Sequence, residues 1–459
     1  MIMKKDFKFR HLAQLTIELD SPLTVGCGCP TIMTDSPVLT DINGLPYIPG
    51  TSVAGVIRHT LLAMDGEDNA EYGSEIIKEI FGYQERNSGE GSKIIFTDAV
   101  MIGQDGQPMD GIQEINRSSE FYSLFDYLPI RQHVCINEKG VGQDGGKFDN
   151  EVVYKGTRFM FEIELYAEVD STSVFQQILK VLCYESFRIG GGTRNGYGKI
   201  HVVKCMTANL DLTKPIDLER YLSKSSSLLA DWQWDEDISL CPISTTDKWM
   251  KYTLELHPLD FFSFGSGMGD EDSDSIPVAE SVICWNNDNN PFVKHHQVLV
   301  PATSIKGALS HRIAYRYNQQ VKVFAGQNDV KAENVAVKTL FGSTGSSDQD
   351  MQRGNVLMSD IYIDDSKQKQ FDHVKIDVFT GGAFPGALFQ EKCTDGRGVV
   401  CCLELDVTKE AVKDENIRKA LERALMDVCE GLLPLGGIVN RGNGIFNGKL
   451  YKNGELWNQ

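Results

Sequence analysis

Residues 34–61 read TDSPVLTDINGLPYIPGTSVAGVIRHTL. Asn43-Gly44 marks a turn, and Pro46 and Pro49 hold the backbone extended up to Gly50. Thr51 or Ser52 offers a hydroxyl that can cap a helix by accepting an unpaired first-turn N–H. Val53, Val56, Ile57, Thr60 and Leu61 then recur at helical spacing, with Arg58 and His59 off that stripe. A helix start preceded by small residues is a ready site for a phosphate. Asp35 puts one carboxylate in the loop just before it. The chain contains this segment twice.

Working outward, the first half predicts a strand near Leu15–Leu19, the helix above, a second short helix ending at Gly82, and a strand over Lys93–Met101. A long irregular insertion, Ile102–Val152, follows. Then come an alternating strand over Thr157–Val169, a helix over Ser171–Glu185, and a glycine-rich loop leading into a strand. Strand, helix, strand, strand, helix, strand is the βαββαβ ferredoxin-like pattern, an α+β fold. The pattern reopens at Tyr252. TLELHPLDFFSFG matches TIELDSPLTVG, PATSIKGALSHR matches PGTSVAGVIRHT, and VLMSDIYI matches IIFTDAVM, pairing Asp360 with Asp98. A second insertion covers Asp365–Gly398, and LGGIVNRGNGIFNGKL closes the series. The expectation is two tandem domains, 1–204 and 250–459, joined by a connector over 205–249.

Composition limits the function classes. Of 459 residues, 41% are hydrophobic, enough for ordinary cores, and the net charge is −19. An acidic balance argues against a simple nucleic-acid binder, but a basic groove can sit on an acidic body. Acidic residues crowd into 65–79, 235–237, 270–274 and 348–365, and basic ones into 58–59, 188–199, 294–296 and 306–316. The eleven cysteines form no CxxC pair, so no zinc site is expected. The start, MIMKKDFKFRH, has no apolar run behind its charges, and no stretch of about 18 apolar residues occurs. The expectation is a cytoplasmic protein with reduced thiols and no membrane contact.

The second signal is the loop GGGTRNGYGK, residues 190–199. Glycines such as Gly191 and Gly192 let backbone N–H groups approach a phosphate, Arg194 adds charge, and Tyr197 offers a face for a base. The loop recurs with Gly436, Gly437 and Arg441. It fits neither a dinucleotide fingerprint nor a GxxxxGK[ST] phosphate loop, so no organic cofactor is implied.

The paired glycine-rich loops, the IPGTS helix start and the preceding TDSPV resemble the RAMP superfamily of CRISPR-associated proteins. In particular they resemble the backbone subunits of type III effector complexes, over nearly the whole chain. Fused backbones of this kind resemble the III-D branch. The resemblance implies two RRM-like RAMP domains with long insertions that bind CRISPR guide RNA beside other effector subunits. Each insertion, on this resemblance, is expected to form a hairpin wedged between guide and target, with Gly140–Gly146 and Gly381–Gly386 as candidate tips. It also implies that a loop Asp cuts paired, single-stranded target RNA, and the matching residue is Asp35. RNA can be cut by its own 2′-hydroxyl, so the protein needs mainly positioning and a carboxylate to take a proton or hold Mg or Mn. The second repeat offers Asp274 in SDSIPV, read with Ile276 inserted before Pro277. Candidate RNA contacts are Thr51, Ser52, Arg58 and His59, with Thr303, Ser304, Lys306 and Arg312 in the second repeat, and the two glycine-rich loops. A non-cutting scaffold, a guide-processing endonuclease and a generic RNA-recognition module remain open as rivals.

Overall fold

The computed structural model describes residues 6–64, 74–86, 88–137, 140–244, 248–323, 334–343, 351–364 and 367–457. Parts of the acidic stretches, 65–73, 348–350 and 365, lie outside the described residues.

Two antiparallel sheets carry the molecule. In the first, Phe9–Leu19 lies between Arg158–Ala167 and Ile200–Asp211, and Ile94–Phe96 pairs beyond Arg158–Ala167. In the second, Trp249–Pro258 lies between Cys401–Thr408 and Phe446–Lys452, with Val356–Met358 beyond Cys401–Thr408. Each sheet therefore runs fourth, first, third, second in chain order. Alternation explains the strands: Phe159, Phe161, Ile163 and Leu165 are buried, as are Cys401, Leu403, Leu405 and Val407. Val53 and Ile57 of the Gly50–Met64 helix join Phe175 and Ile178 of the Thr172–Val181 helix in the first core. Ile305, Leu309 and Ile313 of the Ala302–Val321 helix join Ile417, Leu421 and Leu425 of the Glu415–Cys429 helix in the second. The buried stripes are the helical spacing read from the sequence.

Three features differ from the expectations. The strand at 200 runs on to Asp211, and Glu236–Asp237 pairs with it, so part of the expected connector completes the first sheet. The insertions are ordered where residue spacing alone reads them as irregular, and the hairpins that the resemblance implies are present. Each holds an antiparallel hairpin, Ile130–Ile136 with Gly142–Glu151 and Gln368–Ile376 with Ala383–Asp395. Finally, the second repeat has a hairpin, Ala279–Trp285 with Pro291–Val300, where the first has only the turn bridged by Thr40 and Pro46. That hairpin binds the repeats together. Ile283 enters the first core, its N–H donates to the Lys155 carbonyl at 3.0 Å, and the Trp285 indole donates to Gly156 at 2.7 Å. Gly156 sits at φ +85°, and a Cβ there would lie 1.7 Å from the Ile283 carbonyl oxygen, so only glycine fits.

Candidate active site and nucleic-acid interface

Asp35 is exposed, in the loop ahead of the first long helix, and it is tied to the hairpin behind it. Its N–H donates to Asp149 Oδ1 at 2.8 Å, while its own Oδ2 accepts the Asp149 N–H at 3.1 Å. The buried Thr34 hydroxyl donates to the same Asp149 Oδ1 at 2.8 Å. The Asp35 N–H and then the Thr34 hydroxyl hold the Asp149 carboxyl below the usual carboxylate range, because both bonds favour the charged form.

Asp274 has its carboxylate anchored on the matching hairpin amide. Its Oδ2 accepts the Gln390 N–H at 2.9 Å, and its N–H donates to the Gln390 carbonyl at 3.0 Å. Neighbouring bonds repeat in register: Glu151 N–H to Ser36 O matches Lys392 N–H to Ser275 O, and Cys27 N–H to Pro37 O matches Ser266 N–H to Ile276 O. Ile276 therefore stands where Pro37 does, and Pro277 where Val38 does. The reading of Ile276 as an insertion is corrected: the extra residues lie further on, in the Ala279–Val300 hairpin. Asp274 occupies the structural position of Asp35.

The helix starts also repeat. The Gly50 N–H donates to Asp98 Oδ1 at 2.9 Å, and the Ala302 N–H to Asp360 Oδ1 at 2.8 Å. The Pro49 carbonyl accepts the Ser52 and Val53 amides, and the Pro301 carbonyl those of Ser304 and Ile305. The first amide of each helix thus already faces a carboxylate supplied by a strand, a correction to capping by Thr51 or Ser52. Thr51, His59 and Ser304 are exposed, and Ser52, Arg58 and Thr303 half-buried, on the turns that follow.

Comparison with known proteins decides the family. The RAMP superfamily profile matches residues 16–201 and 297–447, more than half of the chain and both sheets. The chain belongs to the RAMP superfamily. It is similar to the "CRISPR system Cms endoribonuclease Csm3" of Methanocaldococcus jannaschii, 31% identical over 200 residues, which is 40% of this chain and 75% of that protein. The protein of the same name from Streptococcus thermophilus is 29% identical over 170 residues, 36% of this chain and 73% of its own.

Within the RAMP repeats, the glycine-rich loops do other work than expected. The Gly191 N–H donates to Thr24 O at 2.8 Å and the Gly437 N–H to Ser263 O at 2.7 Å, so these amides are committed internally. A Cβ on Gly192 would meet the Tyr197 ring at 2.5 Å, and one on Gly436 the Ser263 carbonyl oxygen at 2.4 Å. The glycines permit close packing. Tyr197 is buried, its hydroxyl 3.3 Å from His133 Nε2, so it presents no face to a base. Arg194 donates to the Gly354 carbonyl of the second RAMP repeat at 2.7 Å, and burial pushes its pKa down to about 10. Nor is Arg441 its counterpart. The short turns Thr193–Asn195 and Val439–Arg441 place Arg441 where Asn195 stands. Arg441 remains 41% exposed, over the Phe389 ring and 3.4 Å from Glu391. Arg312 is half-buried, pairs with the buried Asp427 at 2.6 Å and pins two helices. Lys306 reaches Asn195 at 3.1 Å across the repeats.

The sequence reading missed the joint between the RAMP repeats. Arg131 is buried and binds Glu280 through two nitrogens, at 2.6 and 2.8 Å, and Asp360 at 2.6 Å. The two carboxylates raise its pKa against the opposing effect of burial, so it stays charged. His133 stacks on Phe148 and His373 on Phe389 part-way along the two hairpins.

Among the described residues no three His, Cys, Asp or Glu side chains gather to hold a metal ion. Asp149 Oδ1 is taken by Thr34 and Asp35, so each site offers one carboxylate, Asp35 or Asp274. That set fits Mg or Mn, which accept one carboxylate completed by water and phosphate oxygens. Among the described residues no helix is long and apolar enough to cross a membrane.

Proposed function

We propose that this chain is a two-repeat backbone subunit of a type III CRISPR ribonucleoprotein, built on two ferredoxin-like folds. It holds guide RNA along both repeats and cuts paired target RNA. The observation that carries the reading is the equivalence of Asp35 and Asp274, one loop carboxylate per repeat anchored on matching hairpin amides. The names of the two similar proteins, both endoribonucleases of a CRISPR system, support the same reaction class. The repeated strand order supports the fold, with the first repeat running on through Asp237 and the second opening at Trp249. The cytoplasm is the proposed compartment.

In the proposed reaction a target nucleotide is splayed so that its 2′-oxygen lies in line with the adjacent P–O5′ bond. The 2′-oxygen attacks phosphorus, the P–O5′ bond breaks, and the products are a 2′,3′-cyclic phosphate and a 5′-hydroxyl. Asp35 takes the 2′-hydroxyl proton, and the leaving oxygen is protonated by water. Anchoring Oδ2 on the Asp149 amide leaves Oδ1 to meet the substrate. A divalent Mg or Mn held at Asp35 or Asp274 would supply charge neutralisation at the phosphate. Arg58, His59, Thr51 and Ser52, their counterparts Thr303 and Ser304, and Arg441 remain the surface candidates for RNA.

The test of the guide-holding half is to sequence RNA that copurifies with the protein. Repeat-derived guides of defined length are expected, and a random sample of cellular RNA would overturn the reading.

A further inference from the structure

The two acidic loops are held by different chemistry. In the second repeat the Asp274 N–H is taken by the main-chain carbonyl of Gln390, and the preceding Ser273 hydroxyl turns back onto Ser275 O at 3.1 Å. In the first repeat the same two places are filled by one side chain. Asp149 Oδ1 accepts both the Asp35 N–H and the Thr34 hydroxyl, each at 2.8 Å. Gln132 Nε2 lies 3.4 Å from the other oxygen, Oδ2. Thr34 is buried while Asp35 is exposed, so the loop is pinned on one side and open on the other. Without the Asp149 carboxylate nothing described holds the Asp35 amide, whereas the Asp274 amide keeps its main-chain partner whatever side chain follows.

We infer that Asp149 is a positioning residue for the first cutting site, fixing Asp35 by accepting two hydrogen bonds, and that the second site needs no side chain in this role. The inference rests on the proposed ribonuclease reading. Its chemistry makes a specific demand on the substitutions. Asparagine keeps an Oδ1 that accepts from both Thr34 and Asp35, and Gln132 can turn its amide to present Oε1, which is buried without a partner. Alanine removes both bonds. A misplacement of about 1 Å is enough to slow a positioned reaction about a hundredfold.

The experiment uses the full chain assembled with guide RNA and a complementary target labelled at both ends, under single turnover. Asp149→Ala is expected to slow the first-repeat cut about 10- to 100-fold with target affinity unchanged. Asp149→Asn is expected to restore it to within a few-fold of the parent. Gln390→Ala keeps the main-chain amide and carbonyl that hold Asp274, so loss of the second-repeat cut in that variant would overturn the second half of the inference. Thermal unfolding of each variant accompanies the rates, and Asp149→Asn keeps the question decidable if the alanine variant folds poorly. Parental cutting by Asp149→Ala would overturn the inference, and so would an asparagine variant as slow as alanine, because charge would then be carrying the effect. An Asp35→Ala arm separates the two levels. Loss of the cut there with none at Asp149→Ala removes the inference alone, and full cutting by Asp35→Ala removes the functional reading and the inference with it.

Discussion

Asp98 and Asp360 stand at the same place in the two repeats and receive the same helix amide, yet only one carboxylate is enclosed. Asp98 is exposed. The Asp360 side chain is 1% exposed, because the first repeat's hairpin lays Arg131 against it. The glycine-rich loop of the first repeat completes the lid: a Cβ on Gly196 would lie 2.7 Å from the Ala302 Cβ. At the outer end of the second repeat the matching residues, Val439–Gly442, are exposed. One module thus shows two states of the same parts. Where a repeat covers its neighbour, a helix-capping carboxylate joins a buried ion-pair cluster. Where nothing covers it, the same cap stays a surface device.

The comparison breaks or holds first on stability. Asp360→Ala strips Arg131 of one of its two carboxylates and is expected to cost about 3–5 kcal/mol, the range for breaking a buried pair by removing one partner. Asp98→Ala loses a helix cap only, about 1 kcal/mol. Urea unfolding of the two variants measures this, and equal losses would mean the joint is not the difference between the repeats.

The glycine-rich loops sharpen the same contrast with a smaller effect. Arg441→Ala should reduce the slope of log affinity for guide RNA against log salt by about one, since a released counterion is lost with the charge. Arg194→Ala should leave that slope alone and lower the unfolding temperature, because its guanidinium serves the Gly354 carbonyl. The reverse pattern would return Arg194 to the RNA surface.

How far the sequence reaches follows from where each contact is made. The duplication, the helix stripes and the Asp98–Asp360 pairing were legible because they depend on local periodicity and on matching strings. The hairpins could be expected only from the family resemblance, since nothing in the local pattern of the insertions announces them. The outer parts of their strands are exposed, so the burial that writes alternation into a strand is confined to their bases. A signal was nonetheless present: His133-Val134 and Ile136 recur as His373-Val374 and Ile376, and Phe148 recurs as Phe389. Aligning those strings pairs Asp149 with Gln390 and exposes the difference between the two acidic loops. Arg131 left no such trace, since Phe371 fills its place in the second hairpin and its partners lie some 149 and 229 residues away in sequence. Tyr197 and Arg194 were assigned to RNA because a glycine-rich loop reads as open surface. The second repeat closes over Arg194, and the first repeat's own hairpin closes over Tyr197.

The most direct test of the central claim maps the cuts in one long complementary target, using assembled complexes of the parent, Asp35→Ala, Asp274→Ala and the double variant. The account predicts loss of one distinct cut in each single variant, no cleavage in the double variant, and near-parental target binding in all. Parental cleavage by the double variant would contradict it and leave the chain a scaffold whose two loop carboxylates only hold hairpins in place.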